Sequence, residues 1–342
     1  MDKYVIEEWR EKVVKYPKRS RQSRVRALVR KRGVLLLISM AFICAAAGCA
    51  GSTDGEEQGA EGSLQGASDY GDGASETAAQ ITDNEEIPYV NILEADSTKL
   101  TITWDGMTEN NLAEADVLEA EIMTAVDAFS AEGYSTGFLL YDLNSGGGIS
   151  YNADEAYYSA STIKGPYVAW LVQAYPETAD TLYGTIENTL QWSSNEDYER
   201  LITSYGYTEF NIWAAGLGCQ NIAITDEWYT AVNARDFALL WSSMYDYFLS
   251  ETCNTAVRDL YTGTLSSAIY ETLGGQYTVY SKAGWIGEGP GSYYNVQNDA
   301  GIVMKGEDPY VLVVLSDAYG RLDLLDHLVA VLDMVHTSLT EY

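Results

Sequence analysis

The chain has 342 residues, with 20 Lys and Arg against 50 Asp and Glu and a net charge of −30. Twelve of the 20 basic residues fall in the first 33 positions, so residues 50–342 carry eight basic and 46 acidic residues, a formal charge of −38. Such a surface repels phosphate backbones, which argues against nucleic acid as a partner, and suits a domain that stays soluble in an extracellular or salty setting.

Residues 1–33 form a basic N-terminal region. Residues 34–49 (VLLLISMAFICAAAGC) follow it. Fifteen apolar residues (34–48) after a basic run are short for a membrane span and fit a signal segment. The stretch ends in Ala45-Ala46-Ala47-Gly48 before Cys49, which resembles the lipobox-like end of a bacterial lipoprotein signal. That resemblance implies lipidation of Cys49 and an extracytoplasmic domain anchored to the cell membrane. Ala46 stands where such signals usually carry Leu. Residues 50–87 are Gly, Ser, Ala and acid, a disordered acidic linker that can form no core. Residues 88–342 remain as one globular domain of about 250 residues, large enough for a single core. Of the four cysteines, Cys44 lies in the signal segment and Cys49 at its end. Export would allow Cys219 and Cys253 to pair, which their spacing leaves open.

Within the domain, residues 114–131 place Val117, Leu118, Ile122, Val126 and Phe129 on one helical face, with Asn110 and Asn111 as candidate caps. Residues 137–152 read as a β-hairpin around Asn144-Ser145-Gly146-Gly147-Gly148. A helix begins near Ser161, and residues 234–248 and 251–261 also read as helical. Strand-like runs follow at 277–284, 293–306 and 309–318. Residues 321–339 are an amphipathic helix carrying Leu324, Leu325, Leu328, Val331, Leu332 and Val335. This order predicts an α/β (α+β) fold, an antiparallel sheet with flanking helices.

The chemistry concentrates at scarce lysines. From Ala50 onward there are four, Lys99, Lys164, Lys282 and Lys305. Lys164 lies in SASTIKGPYV, three residues after Ser161, so both share one helix face at a helix start. An amine made neutral by burial or a cationic neighbour could take the serine proton there. The helix N-terminus offers free N–H groups to an oxyanion. Lys282 lies in YSKAGWIG at the end of a strand, and LQWSSNEDYERLI supplies Ser193 and Asn195 between them.

The ordered set S-x-x-K, S-x-N and K-x-G resembles the class A β-lactamases and their penicillin-binding-protein relatives. The resemblance covers about residues 114–339, including TAVNARDFALLW (230–241) and NDAGIV (298–303). It implies a serine hydrolase acting on amide bonds without a cofactor or metal, with a reduced helical subdomain. Ser161 would be the acylated nucleophile and Lys164 its base. Ser193 would pass a proton to the leaving nitrogen, Asn195 would hold the substrate amide, and Lys282 would attract the substrate carboxylate. Ala283, Gly284 and Trp285 would line the substrate, with the N–H groups of Ser161 and Trp285 as oxyanion hole. The implied substrate is a β-lactam or a peptidoglycan D-alanyl peptide; the oligomeric state stays open.

Three departures stand out. Ala283 replaces the usual Thr or Ser, removing a hydroxyl that would bind the substrate carboxylate. No carboxylate clearly matches the deacylating Glu of class A; Asp226 and Glu227 are the candidates, and Glu227 is expected not to do that job. The interval from Ser161 to Ser193 is short. A Ser-His-Asp enzyme is disfavoured, because His327 and His336 both fall in the last helix and read as surface or edge residues. No cluster has zinc-ligand spacing. The competing readings are a β-lactamase, a cell-wall peptidase or transpeptidase, and a non-catalytic cell-wall binding module. The domain's many aromatics, Tyr158, Tyr229, Tyr293 and Tyr294 among them, read mainly as packing, with Trp192 and Trp285 as the groove candidates.

Overall fold

The computed structural model describes residues 90–104 and 112–340, all within one unit, Ala78–Tyr342. The basic region, the signal segment with Cys49, the linker up to residue 87 and the candidate caps Asn110 and Asn111 lie outside the described residues. Among the described residues, no helix is long and apolar enough to cross a membrane.

Strand β1 (Thr101–Thr103) and helix α1 (Leu112–Ala131) precede the hairpin of β2 (Thr136–Asp142) and β3 (Gly148–Tyr151). A short strand β4 (Tyr157–Tyr158) leads through a 3-10 turn (Ala160–Ile163) into α2 (Lys164–Ala174). Helices α3 (Thr178–Thr181), α4 (Tyr183–Gln191), α5 (Asn195–Tyr205) and α6 (Thr208–Gly216) follow. Next come β5 (Ala231–Val232), α7 (Ala234–Phe248), α8 (Thr255–Asp259) and α9 (Ala268–Leu273). The chain closes with β6 (Thr278–Ile286), β7 (Val296–Met304), β8 (Tyr310–Ser316) and α10 (Leu322–Thr340).

Six strands form one antiparallel sheet in the order β1-β3-β2-β8-β7-β6, and β4 pairs with β5 separately. Both sheet faces are covered, which is why its strands read as apolar runs rather than alternations. The side-chain period of two still sorts them. Tyr310, Leu312 and Val314 of β8 join Phe138, Leu140 and the inner faces of α1 and α10 in one core. Val311, Val313 and Leu315 join Leu139 and Ile302 in a second core with α2 and α7, around Trp170, Phe237 and Trp241. The catalytic motifs of the sequence all fall on this second side or on the edge strand β6.

The α+β sandwich expected from the sequence is the fold observed, with boundaries shifted by caps. The helix expected over 251–261 shrinks to α8, because the Asn254 side chain accepts the Val257 N–H (3.0 Å) and fixes the start at Thr255. Of the helices α3 to α6, which the sequence reading did not predict, α3, α4 and α6 run for nine residues or fewer and show little periodicity, whereas α5 has the length of α2 and was overlooked. Cys219 and Cys253 are both free thiols.

His336 is a correction. It is fully buried, not a surface or edge residue. Its Nε2 lies 3.0 Å from Asp142 Oδ2 and its ring packs against Tyr310 at 4.4 Å between centroids. Position 336 follows Leu332 by four residues and so shares α10's inner face. Asp142 makes that burial affordable, since the same carboxylate also accepts the N–H and hydroxyl of Ser145 at the β2–β3 turn (2.7 and 2.8 Å). His327 is exposed.

Candidate active site

The nucleophile candidate sits on a constrained turn. Ala160 takes a left-handed conformation (φ 43°), and Ser161 follows it inside the 3-10 turn that opens α2. The turn is tied to its neighbours from two directions. Ser159 N–H donates to Thr230 O (3.0 Å), and Asn298 Nδ2 on β7 donates to Tyr158 O (2.8 Å). Ser161 is half-buried, whereas Thr162, Ile163 and Lys164 after it are fully buried.

Ser193 and Asn195 arrive from the second motif because Ser194 caps α5. Its hydroxyl accepts the Asp197 N–H (3.1 Å) and donates to the Asp197 carboxylate (2.8 Å), a local capping arrangement. Ser193, just outside the cap, turns the chain at φ 57°. Its two oxygens then serve two lysines. Lys164 Nζ donates to Ser193 O at 2.7 Å and to Asn195 Oδ1 at 2.6 Å. Lys282 Nζ donates to Ser193 Oγ at 3.1 Å and to Ala283 O at 2.7 Å. The structure therefore gathers Lys164, Ser193, Asn195 and Lys282 into one hydrogen-bonded cluster beside the Ser161 turn.

The K-x-G strand closes the other wall. β6 is the edge of the sheet. Ser281 N–H donates to Tyr261 O (2.9 Å) and its carbonyl accepts from Thr264 (3.1 Å), so Ser281 turns its backbone polar groups away from β7. Backbone polar groups alternate sides along an antiparallel strand. Ala283 and Trp285 therefore present theirs on the same outer edge, toward the nucleophile turn. Gly284 lies directly against that turn: a Cβ there would come within 2.3 Å of Thr162 N and 2.7 Å of Ser161 N. Only glycine permits this approach. Gly165 likewise lies under Lys282, whose Cβ would be 3.0 Å from an added methyl. The Ala283 methyl is fully buried, leaving its backbone as the part on the open edge, and Trp285 is half-buried.

Burial sets the charges. It pushes the Lys164 pKa down to about 7, and the nearby Lys282 adds to the shift. Burial also pushes Lys282 down to about 7, with Asp299 pulling the other way. Asp299 lies on the opposite face of the sheet, since Lys282 pairs with Ala300 and Asp299 with Ala283. Burial drives the Asp299 carboxyl up to about 7, against hydrogen bonds from Ser267 Oγ (2.6 Å) and Ile269 N–H (2.9 Å).

The segment between α6 and α7 touches the cluster through a tyrosine. Tyr229 Oη donates to Asn195 Oδ1 at 2.9 Å, and Tyr198 Oη, one turn along α5 from Asn195, donates to Trp228 O at 3.1 Å. Two tyrosines thus fasten this loop to α5, one from each side. Lys164 Nζ lies 5.5 and 6.0 Å from the centroids of the Tyr198 and Tyr229 rings. Asp226 is engaged by Tyr207 Oη (2.6 Å), and Glu227 is exposed. Among the described residues, no carboxylate is hydrogen-bonded to Lys164, Ser193 or Asn195.

Of the five residues singled out by motif order, Lys164, Ser193, Asn195 and Lys282 are joined by hydrogen bonds, and Ser161 lies on the turn packed against Gly284. Sequence reasoning gave no site role to Tyr198, nor to Asn298 and Asp299 within the NDAGIV run, and read Tyr229 mainly as packing. Tyr198 had a readable signal, as it lies three residues after Asn195 on one helix face. Asn298 and Asp299 had another, standing with Gln297 as polar residues inside a strand that is apolar from Ala300 onward. Tyr229 had none, because only the loop's path brings it to Asn195.

The fold is that of the β-lactamase-like serine hydrolases. The chain belongs to the beta-lactamase enzyme family, whose model Beta-lactamase2 matches residues 118–187 and 176–330. Among solved structures, a β-lactamase from Sphaerobacter thermophilus DSM 20745 is similar at 19% identity and a TM-score of 0.53, over 65% of this chain and 98% of that one. PBP-A is similar at 18% identity and a TM-score of 0.52, over 65% and 97%. A PBP-A variant described as an acyl-enzyme complex with penicillin G is similar at 19% and 0.52, over 66% and 98%. At these identities the likeness is one of fold. No curated protein sequence matches the chain.

Proposed function

We propose that the chain is an exported, lipid-anchored acyl-transfer enzyme in which Ser161 takes the acyl group of a β-lactam or a peptidoglycan D-alanyl peptide. The observation that carries the reading is the placing of Lys164, fully buried with two oxygens and no carboxylate for hydrogen-bond partners. Burial favours its neutral amine, and a neutral amine has two N–H groups and one lone pair. Ser193 O and Asn195 Oδ1 occupy the two N–H groups, which leaves the lone pair for the Ser161 proton.

Ser161 Oγ attacks the carbonyl carbon as Lys164 takes its proton. The N–H groups of Ser161 and Trp285 stabilise the oxyanion. The amide C–N bond breaks, and the Ser193 hydroxyl gives its proton to the leaving nitrogen and regains one from the Lys164 ammonium, which took it from Ser161; in the resting site Ser193 O accepts from Lys164 and Ser193 Oγ from Lys282. Lys282 supplies positive charge to the substrate carboxylate, with Asn195 Nδ2 on the substrate amide. Water then cleaves the acyl-serine ester.

Among the described residues no carboxylate is hydrogen-bonded to Lys164, Ser193 or Asn195 to activate that water, which supports slow deacylation and a cell-wall peptidase over a fast β-lactamase. The retained set of Ser161, Lys164, Ser193, Asn195 and Lys282 supports an enzyme over a binding module. Intact mass of the full chain with benzylpenicillin tests this. A long-lived adduct on the peptide containing Ser161 is expected; no adduct with benzylpenicillin or a D-alanyl-D-alanine peptide would refute it. Anchoring is read from Cys49, and fatty-acid labelling in cells should be lost in Cys49→Ser; labelling that persists would refute the lipid site.

A further inference from the structure

Two exposed apolar residues border the catalytic cluster next to Ser193. Trp192 is 67% exposed and Leu265 43%, and neither packs against either core. They are far apart in sequence, yet their backbones are stitched together. The Leu265 N–H donates to Gln191 O (3.3 Å), and Gln191 Nε2 donates to Leu260 O and Thr262 O (2.5 and 2.9 Å). The end of α4 and the turn before α9 therefore form one rim.

This rim is tied to the cluster from both of its segments. Trp192 precedes Ser193, whose carbonyl and hydroxyl oxygens accept from Lys164 and Lys282. Leu265 follows Thr264, whose hydroxyl donates to the carbonyl of Ser281, the residue before Lys282 (3.1 Å). Each apolar residue is followed by a serine in the left-handed region, Ser193 at φ 57° and Ser266 at φ 56°. A serine persists in that conformation only where its surroundings over-determine it. A held backbone thus presents Trp192 and Leu265 to solvent. Single exposed apolar residues are ordinary on a protein surface. A pair on one fixed rim, bordering a few placed polar groups, is the make-up of a ligand-binding wall. In the mechanism above Ser193 protonates the leaving nitrogen, so the residues that adjoin Ser193 border the leaving side of the scissile bond.

We propose that Trp192 and Leu265 form a subsite for an apolar side chain on the leaving amine of the acyl donor. The proposal rests on the acyl-enzyme reading above and deepens it. It narrows the donor class to peptides whose residue after the scissile amide is large and apolar, in preference to alanine. A methyl group buries little area against an indole and a leucine, whereas an isobutyl group covers part of both.

The test uses the full chain and two peptides that differ only in their last residue, Nα,Nε-diacetyl-L-lysyl-D-alanyl-D-alanine and Nα,Nε-diacetyl-L-lysyl-D-alanyl-D-leucine. Each competes with benzylpenicillin labelling of Ser161, read by intact mass. The leucyl peptide should compete at a concentration about 5- to 10-fold lower, the size expected from partly burying its added carbons. That ratio should fall toward one in the double variant Trp192→Ala, Leu265→Ala. The ratio is internal to each protein, so a general loss of labelling does not mimic the effect. Should the double variant not fold, Leu265→Ala alone should still lower it. Equal or weaker competition by the leucyl peptide in the wild type, or a ratio that survives these variants, would overturn the subsite. If benzylpenicillin labels nothing, the acyl-enzyme reading has failed instead; calorimetry with the two peptides then decides the subsite by the same ratio.

Discussion

Lys164 and Lys305 are both withdrawn from solvent, yet the protein treats them in opposite ways. Lys305, on the α10 side of the sheet, donates to the Asp333 carboxylate (2.6 Å) and to Thr337 Oγ1 (2.5 Å), and Tyr310 Oη donates to the same carboxylate (2.8 Å). On that side His336 also faces a carboxylate, Asp142. Lys164, on the α2 side, has a carbonyl and an amide oxygen for partners and a second lysine for a neighbour. A carboxylate beside a lysine holds its proton in place. Burial and a neighbouring lysine, with no carboxylate to hold the charge, leave the proton mobile. One arrangement is structural, the other is suited to proton transfer.

The largest break in that contrast is at the nucleophile. Ser161→Ala should abolish the penicillin adduct seen by intact mass while the thermal unfolding midpoint stays within a few degrees. An adduct that survives would move the nucleophile elsewhere. Lys164→Ala should slow acylation by about 10²- to 10⁴-fold, the range for losing a positioned base. An unchanged rate would mean the serine proton leaves by another path.

The stability effects should run the other way. Lys305→Met leaves the half-buried Asp333 carboxylate without its cation and with Tyr310 as a remaining partner, and urea unfolding should show a loss of about 1–3 kcal/mol with acylation unchanged. Lys164→Met removes a lysine that burial disfavours in its charged form, so its loss of stability should be much smaller. Equal losses in the two variants would erase the distinction drawn between the two sides. The smallest effect is expected for Tyr229→Phe. It removes one hydrogen bond to Asn195 and should lower the acylation rate by about 3- to 10-fold, while urea unfolding shifts by no more than about 1 kcal/mol. A rate identical to wild type would show that Asn195 is held without it.

Much of this site was legible in the sequence because its chemistry is ordered along the chain. Ser161 and Lys164 share one helix turn, Ser193 and Asn195 flank a helix cap, and Lys282 and Gly284 alternate on a strand. Each spacing is local, and local spacing survives without knowledge of the fold. The contacts that tune the site were not legible. Tyr229 meets Asn195 across 34 positions and Asn298 meets Tyr158 across 140, and no periodicity encodes such encounters. The same limit applies to His336, whose burial depends on Asp142 from 194 positions away. The helices α3, α4 and α6 were lost for a different reason, their pieces being too short to display a 3.6-residue period.

The central claim is that Lys164 is a neutral base at physiological pH, and a titration of the side-chain amines addresses it most directly. Lysine ε-carbons labelled with ¹³C would be followed by NMR from pH 5 to 11, with Lys164→Met assigning the resonance. The amine should lose its proton near pH 7, and the acylation rate should rise with pH over the same range and then level, because only the neutral form accepts the serine proton. A Lys164 resonance that stays protonated to pH 9 or beyond, with an acylation rate indifferent to pH near 7, would contradict the account.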